Sequence, residues 1–309
     1  SEEMNVLLEW ADEIARLQVM ANADTPEDAA RARAFGAVGI GLCRTERMFN
    51  GTDRLPIVQE MILAETQEER QAALDRLLPI QRADFKGIFK AMKGLPVTVR
   101  LLDPPMHEFL PTASQLELEI AHLHHLRDTI KGLEELPETL KLLNPKLYQQ
   151  YADGLVKLMD GLNTFKGSHL EEDVIHKKEK VLKKVRALSE VNPMLGHRGV
   201  RLGITYPEIY SMQIQAILEA AAQCAREGVE AHPEIMVPQV ATVEELRRIH
   251  GYVQRLHKVV DLTHGINVRF KFGSMIEVVR ACMRAGRLAE MAEFFSFGTN
   301  DLTQATFSF

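Results

Sequence analysis

The sequence lacks the features that would place it in a membrane or outside the cell. No apolar run approaches the ~20 residues that a membrane-spanning helix needs. The only cysteines are Cys43, Cys224 and Cys282, and no two of them form a CxxC pair. We therefore expect free thiols in a reducing compartment, with the cytoplasm as the location. The N-terminal stretch SEEMNVLLEW is acidic and amphipathic, which is not the pattern of a signal peptide.

Excess basic charge is also lacking. The chain has 37 lysines and arginines against 43 aspartates and glutamates, which gives a net charge of -6. Nucleic acids and anionic membranes attract proteins with a basic excess or a basic stripe, so we expect neither as a partner. A local basic pocket for a small anion remains compatible with this balance. The hydrophobic fraction of 46% is ample for a packed core.

Short apolar runs alternate with helical patterns along most of the chain. This alternation predicts βα units and a parallel sheet. Thr25 followed by Pro26 is typical of a helix start, because a hydroxyl side chain caps the helix and proline suits its first position. The predicted fold class is α/β, an incomplete (β/α)8-type TIM barrel with about seven strands. The predicted strands are 17–24, 36–46, 96–103, 196–203, 234–240, 268–277 and 294–301, and the main predicted helices are 25–35, 56–92, 206–227 and 243–260.

One long segment interrupts the alternation. Residues 114–190 contain no convincing strand and show apolar residues at helical spacing, with charged residues between them. We interpret the segment as a helical insertion in a barrel domain that otherwise spans residues 1–309. Its Lys-rich stretch 176–186 and its cluster His122, His124 and His125 are interpreted as solvated helix faces, since no further metal ligand is evident beside the histidines.

Charged and amide residues gather where the predicted strands end. In an α/β barrel the carboxyl ends of the strands hold the active site. Arg44, Arg100 and Arg198 offer planar donor groups that suit phosphate or carboxylate oxygens. Glu277 and Asp301 offer the hard oxygen ligands that suit Mg²⁺. These carboxylates could equally form ion pairs with the arginines, and the two interpretations are compatible.

The stretch SFGTND adds a strand-to-helix turn. Gly298 there allows backbone N–H groups to approach an anion closely, and Asn300 can donate from its side-chain amide. Metal, arginines and amide donors around one pocket are typical of sites that stabilise an enolate or a phosphoryl group in transfer.

Six motifs together resemble the C-terminal domain of the pyruvate phosphate dikinase family. They are GIGLCRTERMF, VTVRLLDPPMHEFLP, NPMLGHRGVRLGITYPEI, PEIMVPQV, GSMIEVVRA and FFSFGTNDLTQ, and they occur in the family's order. The resemblance runs from about Val19 to Phe309, except for residues 114–190. Phosphoenolpyruvate synthase and enzyme I of the bacterial sugar phosphotransferase system share several of these motifs, but RLLDPPMHEF looks more like the dikinases.

The resemblance implies a reaction and a set of roles. Members interconvert ATP, phosphate and pyruvate with AMP, diphosphate and phosphoenolpyruvate, and a mobile domain carries a phosphohistidine between the sites. The barrel handles pyruvate and phosphoenolpyruvate with Mg²⁺, and the family implies a homodimer. Mapped by motif, Arg44, Arg100 and Arg198 would bind the phosphoryl group and the enolate oxygen, with Asp103 orienting one arginine. Glu277 and Asp301 would hold Mg²⁺, while Asn300 and the backbone of Gly298 and Thr299 would hold the substrate carboxylate.

Several motifs of the family have no counterpart in this sequence. Nothing in the 309 residues corresponds to the family's Gly-rich loop with a cysteine that protonates the enolate carbon, and Cys43, Cys224 and Cys282 do not occupy that motif. We found neither a nucleotide-binding nor a phosphohistidine motif. We therefore expect a barrel cut short of its last unit, without net turnover by itself. The alternatives are a related phosphohistidine-dependent enzyme, a metal-dependent aldolase or lyase, or a non-catalytic ligand-binding fragment.

Overall fold

The structure is a computed structural model that describes residues 2–166, 170–189 and 196–308. The chain forms two compact units. The first comprises Ser1–Phe109 and Glu190–Phe309, and the second comprises Leu110–Ser189. Within the described residues, no helix is long and apolar enough to cross a membrane.

The first unit contains one parallel sheet. Its strands lie side by side in the order in which they occur along the chain, and every neighbouring pair is parallel. Helices connect the strands, as in the wall of a (β/α) barrel. The prediction of an α/β fold of incomplete barrel type is therefore confirmed. The strands are β1 (Ala21–Asn22), β2 (Ile40–Arg44), β3 (Pro96–Arg100), β4 (His232–Val237), β5 (Lys271–Ile276) and β6 (Phe294–Phe297).

Helices account for most of the remaining described residues. Two short 3-10 helices, Thr45–Asn50 and Met106–Phe109, follow the carboxyl ends of β2 and β3. The α-helices before residue 190 are α1 (Glu2–Ile14), α2 (Pro26–Ala34), α3 (Leu55–Leu63), α4 (Gln67–Ala91), α5 (Ala113–Leu143), α6 (Pro145–Lys166) and α7 (Leu170–Leu188). Those after it are α8 (Val200–Thr205), α9 (Pro207–Arg226), α10 (Val243–His264), α11 (Val279–Met283), α12 (Ala285–Leu288) and α13 (Thr299–Phe307).

The core of the first unit lies on the helix-covered face of the sheet. Along β3, Val97 and Val99 are almost completely buried, whereas Arg100 lies on the opposite face because side chains alternate along a strand. Helix α9 packs on α4 and β4. Tyr210 of α9 is fully buried, and its hydroxyl donates to the carbonyl of Leu102 at 2.9 Å. This contact fixes the chain just beyond β3, where the candidate site residues begin.

Threonine caps begin several of the helices. The side chain of Thr25 accepts a hydrogen bond from the Asp28 amide at 3.1 Å, as the sequence predicts. Thr66 and Thr242 begin α4 and α10 with capping boxes, in which a glutamate three residues later bonds back to the cap. A Thr→Ala change at such a position typically costs about 1 kcal/mol.

The prediction of a strand at 196–203 is wrong. Gly199 has a φ of 56°, and α8 begins at Val200, so the described residues contain six strands rather than seven. The run looked like a strand because Val200 and Leu202 are both fully buried. A short apolar run does not by itself distinguish a buried strand from a buried helix. The predicted helix 56–92 is also two helices, since α3 ends at Leu63 and Thr66 caps α4.

The second unit consists of α5, α6 and α7. Helix α5 packs against both of the others. Part of the Lys-rich stretch forms ion pairs with α5, in which Arg186 donates to Glu117 at 2.7 Å and Lys178 pairs with Glu119. His124 of the histidine cluster lies 3.7 Å from a carboxylate oxygen of Glu179. Position 190, where the predicted insertion ends, lies outside the described residues.

We expect Gly203→Ala to destabilise the first unit by about 1–3 kcal/mol, because overpacking a filled core has costs of that size. A methyl group at position 203 would lie 2.3 Å from the ring of the buried Tyr210. Gly251→Ala in α10 is the matched control, since nothing lies within 4 Å of its added methyl group. Alanine should stabilise that helix by up to about 1 kcal/mol. Urea denaturation of both variants measures the two effects, and equal midpoints would contradict the packing at Gly203.

Candidate active site

Asp103 joins two of the predicted arginines. It follows β3, and only 1% of the residue is exposed. Its carboxylate accepts two hydrogen bonds from Arg198, at 2.6 Å from Nη2 and 3.2 Å from Nε. The same carboxylate lies 2.9 Å from Nη1 of Arg100. The structure therefore places Arg100 and Arg198 around one buried charge, although 98 positions separate them in the sequence.

Arg100 has a second carboxylate partner in Glu46. Glu46 lies in the 3-10 helix after β2 and forms an ion pair with Arg100. Burial raises the pKa of Glu46, and the charge of Arg100 acts against that rise. Burial by itself would lower the pKa of Arg100, but Asp103 and Glu46 outweigh it, so the guanidinium pKa is raised. Arg100 therefore stays charged, although its side chain is only 13% exposed.

Arg44 lies beside Arg100. It is the last residue of β2, and it is the register partner of Arg100 on β3. Its guanidinium is held by Asp24, with distances of 2.8 Å from Nη2 and 3.3 Å from Nε. Asp24 also accepts the backbone N–H of Arg44 at 2.7 Å. The three predicted arginines thus lie at the same end of the sheet, and each is oriented by a carboxylate.

Glu277 is the most perturbed acid of the site. It follows β5 and is 2% exposed. One of its oxygens accepts the backbone N–H of Gln239 at 2.7 Å, and the other has no hydrogen-bond partner among the described residues. Burial raises the pKa of Glu277 to about 7, the charges of Asp103 and Asp301 add to the rise, and the Gln239 amide acts against it. A buried oxygen without a partner is a position that a cation can fill.

Gln239 holds its amide toward Glu277 in an unusual backbone conformation. Its φ is 59°, one of two positive values among the described non-glycine residues. Such a conformation costs roughly 1–2 kcal/mol for a residue with a Cβ atom. The side chain packs closely beside Gly199, where an added methyl group would lie 2.7 Å from the Gln239 Cβ. The strained residue therefore stands between the loop that carries Arg198 and the carboxylate of Glu277.

The turn from β6 into α13 approaches Glu277 from the other side. A methyl group at Gly298 would lie 2.6 Å from the free oxygen of Glu277, so only glycine fits without displacement. Thr299, Asn300 and Asp301 form the first turn of α13, which is nine residues long. The charge of Asp301 raises the pKa values of both Glu277 and Arg198. Asp301 therefore lies within electrostatic range of the predicted metal ligand and of one predicted arginine.

The sequence did not assign three residues that orient the site. Asp24 and Gln239 were not recognised, and Glu46 was noted at a strand end without a role. A carboxylate one strand away from an arginine is a signal that could have found Asp24 and Glu46, because parallel strands end at the same edge of a sheet. No sequence signal indicated Gln239, since its role depends on a backbone amide and a positive φ.

The donor set fits a divalent cation. The carboxylates of the site outnumber its guanidinium groups. The guanidinium groups are those of Arg44, Arg47, Arg100 and Arg198, and the five carboxylates are those of Asp24, Glu46, Asp103, Glu277 and Asp301. No group of three His, Cys, Asp or Glu side chains within the described ranges is arranged to hold a metal ion. Two carboxylates with a free oxygen still suit Mg²⁺, which keeps waters and takes further ligands from an anionic substrate.

Comparisons with known proteins show which family the chain belongs to. The whole chain, residues 1–309, matches the family described as PEP-utilising enzyme, PEP-binding domain. It is 49% identical over 304 residues to a pyruvate, phosphate dikinase of Entamoeba histolytica, covering 98% of this chain and 30% of that protein. It is 47% identical over 309 residues to chloroplastic pyruvate, phosphate dikinase 1 of Arabidopsis thaliana, covering 100% and 27%. The matching enzyme of Giardia intestinalis is 45% identical over 307 residues, covering 99% and 29%. The chain spans less than a third of the length of these relatives.

We expect Glu277→Gln to raise the free energy of unfolding in the absence of Mg²⁺. The folded pKa of Glu277 is about 7 against an ordinary value of 4.5. The unfolded chain therefore loses this proton first as pH rises, and the wild type loses stability between pH 4.5 and 7. Across this pH range the free energy of unfolding of Glu277→Gln should come to exceed that of the wild type by about 1–3 kcal/mol. The difference should persist at higher pH. Urea denaturation at several pH values measures this. Glu9→Gln, an exposed change in α1, is the matched control, and parallel curves for Glu277→Gln and wild type would contradict the burial of an ionisable Glu277.

Proposed function

Because the chain belongs to the family of PEP-binding domains of PEP-utilising enzymes, we propose that it carries the pyruvate and phosphoenolpyruvate site of a pyruvate phosphate dikinase. Two observations support this. The curated relatives at 45–49% identity bear that name. Three carboxylate-oriented arginines and two acidic residues gather at one end of the sheet. The second observation carries the proposal, because a fold by itself does not imply a function.

The proposed half-reaction transfers a phosphoryl group between a phosphohistidine and the enolate oxygen of pyruvate. The phosphorus–nitrogen bond breaks, a phosphorus–oxygen bond forms, and pyruvate loses one methyl proton. Arg44, Arg100 and Arg198 would bind the oxygens of the phosphoryl group and of the enolate. Because Asp103 holds two of these guanidinium groups in place, little reorganisation would accompany the reaction.

The substrate carboxylate has a separate proposed location. Asn300 and the backbone N–H of Thr299 would bind it at the first turn of α13, whereas the N–H of Gly298 donates to the carbonyl of Ile276 at 3.0 Å. We assign the proton transfer at carbon to no residue of this chain. Cys43 is unsuited because it is fully buried and burial raises its pKa well above the ordinary value.

Glu277 and Asp301 would hold Mg²⁺. When bound, Mg²⁺ would offset negative charge on the substrate oxygens. Glu277 contributes an oxygen that has no partner among the described residues, and the Gln239 amide orients the carboxylate through its other oxygen. In this account Gln239 is a positioning residue.

The complete ATP-dependent reaction involves more than these residues. We propose that a phosphohistidine domain and a nucleotide-binding domain supply the other steps, that the enzyme is a cytoplasmic homodimer, and that the 309 residues give no net turnover when assayed by themselves. Phosphoenolpyruvate synthase and enzyme I-like phosphotransferases remain the alternatives. A full-length enzyme that forms AMP only when inorganic phosphate is present would favour the dikinase, whereas AMP formation without added phosphate would contradict it.

We expect oxalate, a planar mimic of pyruvate enolate, to bind this chain only when Mg²⁺ is present. Asp301→Asn should weaken that binding by tenfold or more, about 1.4 kcal/mol, because it removes one proposed metal ligand. Titration calorimetry with and without Mg²⁺ measures both effects. Asp12→Asn, an exposed change in α1 that removes the same charge, is the control. Equal affinity with and without Mg²⁺ would rule out the metal role.

Arg44 and Arg47 provide a second matched pair. Both contact Asp24, but the Arg44 side chain is 25% exposed and the Arg47 side chain 58% exposed. Arg44→Ala should weaken Mg²⁺–oxalate binding by about 2 kcal/mol, since it removes a charge-assisted contact. Arg47→Ala should change it little. The same calorimetric titration compares the two, and an equal loss from both variants would show that general charge, rather than Arg44, governs the affinity.

A further inference from the structure

Three arginines line a cavity outside the candidate active site. The cavity has a volume of about 260 Å³ and lies between the start of α10 and the segment that forms α11 and α12. Arg280, Arg284 and Arg287 line one side, and Thr242 with its neighbours in the first turn of α10 lines the other. None of the site residues described above lines it. We refer to it as the arginine cavity.

The arginines of this cavity differ from those of the active site in their partners. Arg44, Arg100 and Arg198 are each held by a carboxylate, whereas no carboxylate of the described residues lies within ion-pair distance of Arg280 or Arg284. Arg287 lies 3.8 Å from Glu290, and both of these side chains are more than half exposed, so this pair contributes little. Three positive charges thus share one concave surface that carries a single acidic side chain, Glu244. An anion in the cavity would relieve their mutual repulsion.

The opposite wall adds backbone donors. In the capping box of α10, Glu245 accepts the N–H groups of Ala241 and Thr242, and Thr242 accepts that of Glu245. The amides of Val243 and Glu244, which also line the cavity, lie in the first turn, where a helix offers no acceptor of its own. They stand at the positive end of a 22-residue helix. The first turn of α10 and the three arginines therefore line the same cavity.

We propose that the arginine cavity binds a compact phosphate-bearing anion with two or more negative charges. A guanidinium group can donate two parallel hydrogen bonds to a pair of phosphoryl oxygens. Three guanidinium groups offer more donors than a single carboxylate can use. The small volume and the enclosing helix turn favour a small molecule over a peptide segment. The arginine cavity shares no lining residue with the proposed pyruvate site.

Titration calorimetry with diphosphate, at constant ionic strength, tests the proposal. Diphosphate should bind the wild-type chain, and Arg284→Ala/Arg287→Ala should weaken that binding at least tenfold. Arg16→Ala/Arg31→Ala removes the same two charges from exposed positions elsewhere in the first unit and should leave the affinity within about twofold. No binding to the wild type, unchanged binding to the Arg284/Arg287 variant, or equal losses in both double variants would each overturn the proposal. Tighter binding of an acidic peptide than of diphosphate would instead assign the surface to a protein partner.

Cys282 provides a local readout that separates this cavity from the active-site arginines. It is exposed and lies between Arg280 and Arg284, whereas Cys43 and Cys224 are buried. Because Arg280 and Arg284 flank Cys282 in the sequence, diphosphate bound to these arginines should repel a negatively charged thiol reagent and slow its reaction with Cys282. We expect a slowing of twofold or more at saturating diphosphate in the wild type and none in Arg284→Ala/Arg287→Ala. An unchanged rate while calorimetry shows bound diphosphate would place the anion elsewhere and refute the assignment.

Discussion

The candidate site depends on the buried carboxylate of Asp103. Arg100 and Arg198 come from distant parts of the chain, and this single charge holds both guanidinium groups. The backbone carbonyl of the same residue accepts the N–H of Gly199 at 3.0 Å, so the loop that carries Arg198 is bound at two points. Removing one partner of a buried charge network commonly costs about 3–5 kcal/mol, because the others remain buried without compensation. The arginine cluster therefore contributes to the stability of this region as well as to the candidate site.

Acidic and basic side chains alternate in the network around Asp103. Glu46 lies on the far side of Arg100, Asp24 holds Arg44, and Glu277 adds an acid whose pKa is raised by burial. A network selected for stability alone would satisfy all its buried atoms, since each unsatisfied group costs free energy. Here Glu46, Arg100 and Glu277 each keep a buried polar atom without a partner among the described residues. Such atoms are positions that a bound ligand could satisfy, in line with the function proposed for this network.

The sequence was most informative about the candidate site where the same types of residue recur at the ends of predicted strands. Arginines and acids at the ends of apolar runs predicted which residues would meet, because the carboxyl ends of parallel strands share an edge. The prediction of a strand failed for 196–203, because a short run of buried apolar residues fits a strand or a helix equally well. Gly199, with its positive φ, ends the possibility of a continuous strand there. The sequence could not predict Gln239, since the contribution of that residue is a backbone amide in a strained conformation. The roles assigned to the site residues, unlike the fold class, remain predictions.

Gly298 has a consequence for how this protein can change over evolutionary time. Any side chain at this position would press on the free oxygen of Glu277, while the backbone N–H of Gly298 is held by the carbonyl of Ile276 at 3.0 Å and cannot easily retreat. A substitution at 298 would therefore need a simultaneous change at Glu277, and the intermediate with only one change would be impaired in packing or in chemistry. Residues 298 and 277 therefore cannot be substituted one at a time without impairing the site. A new specificity would have to arise from substitutions of other residues of the site.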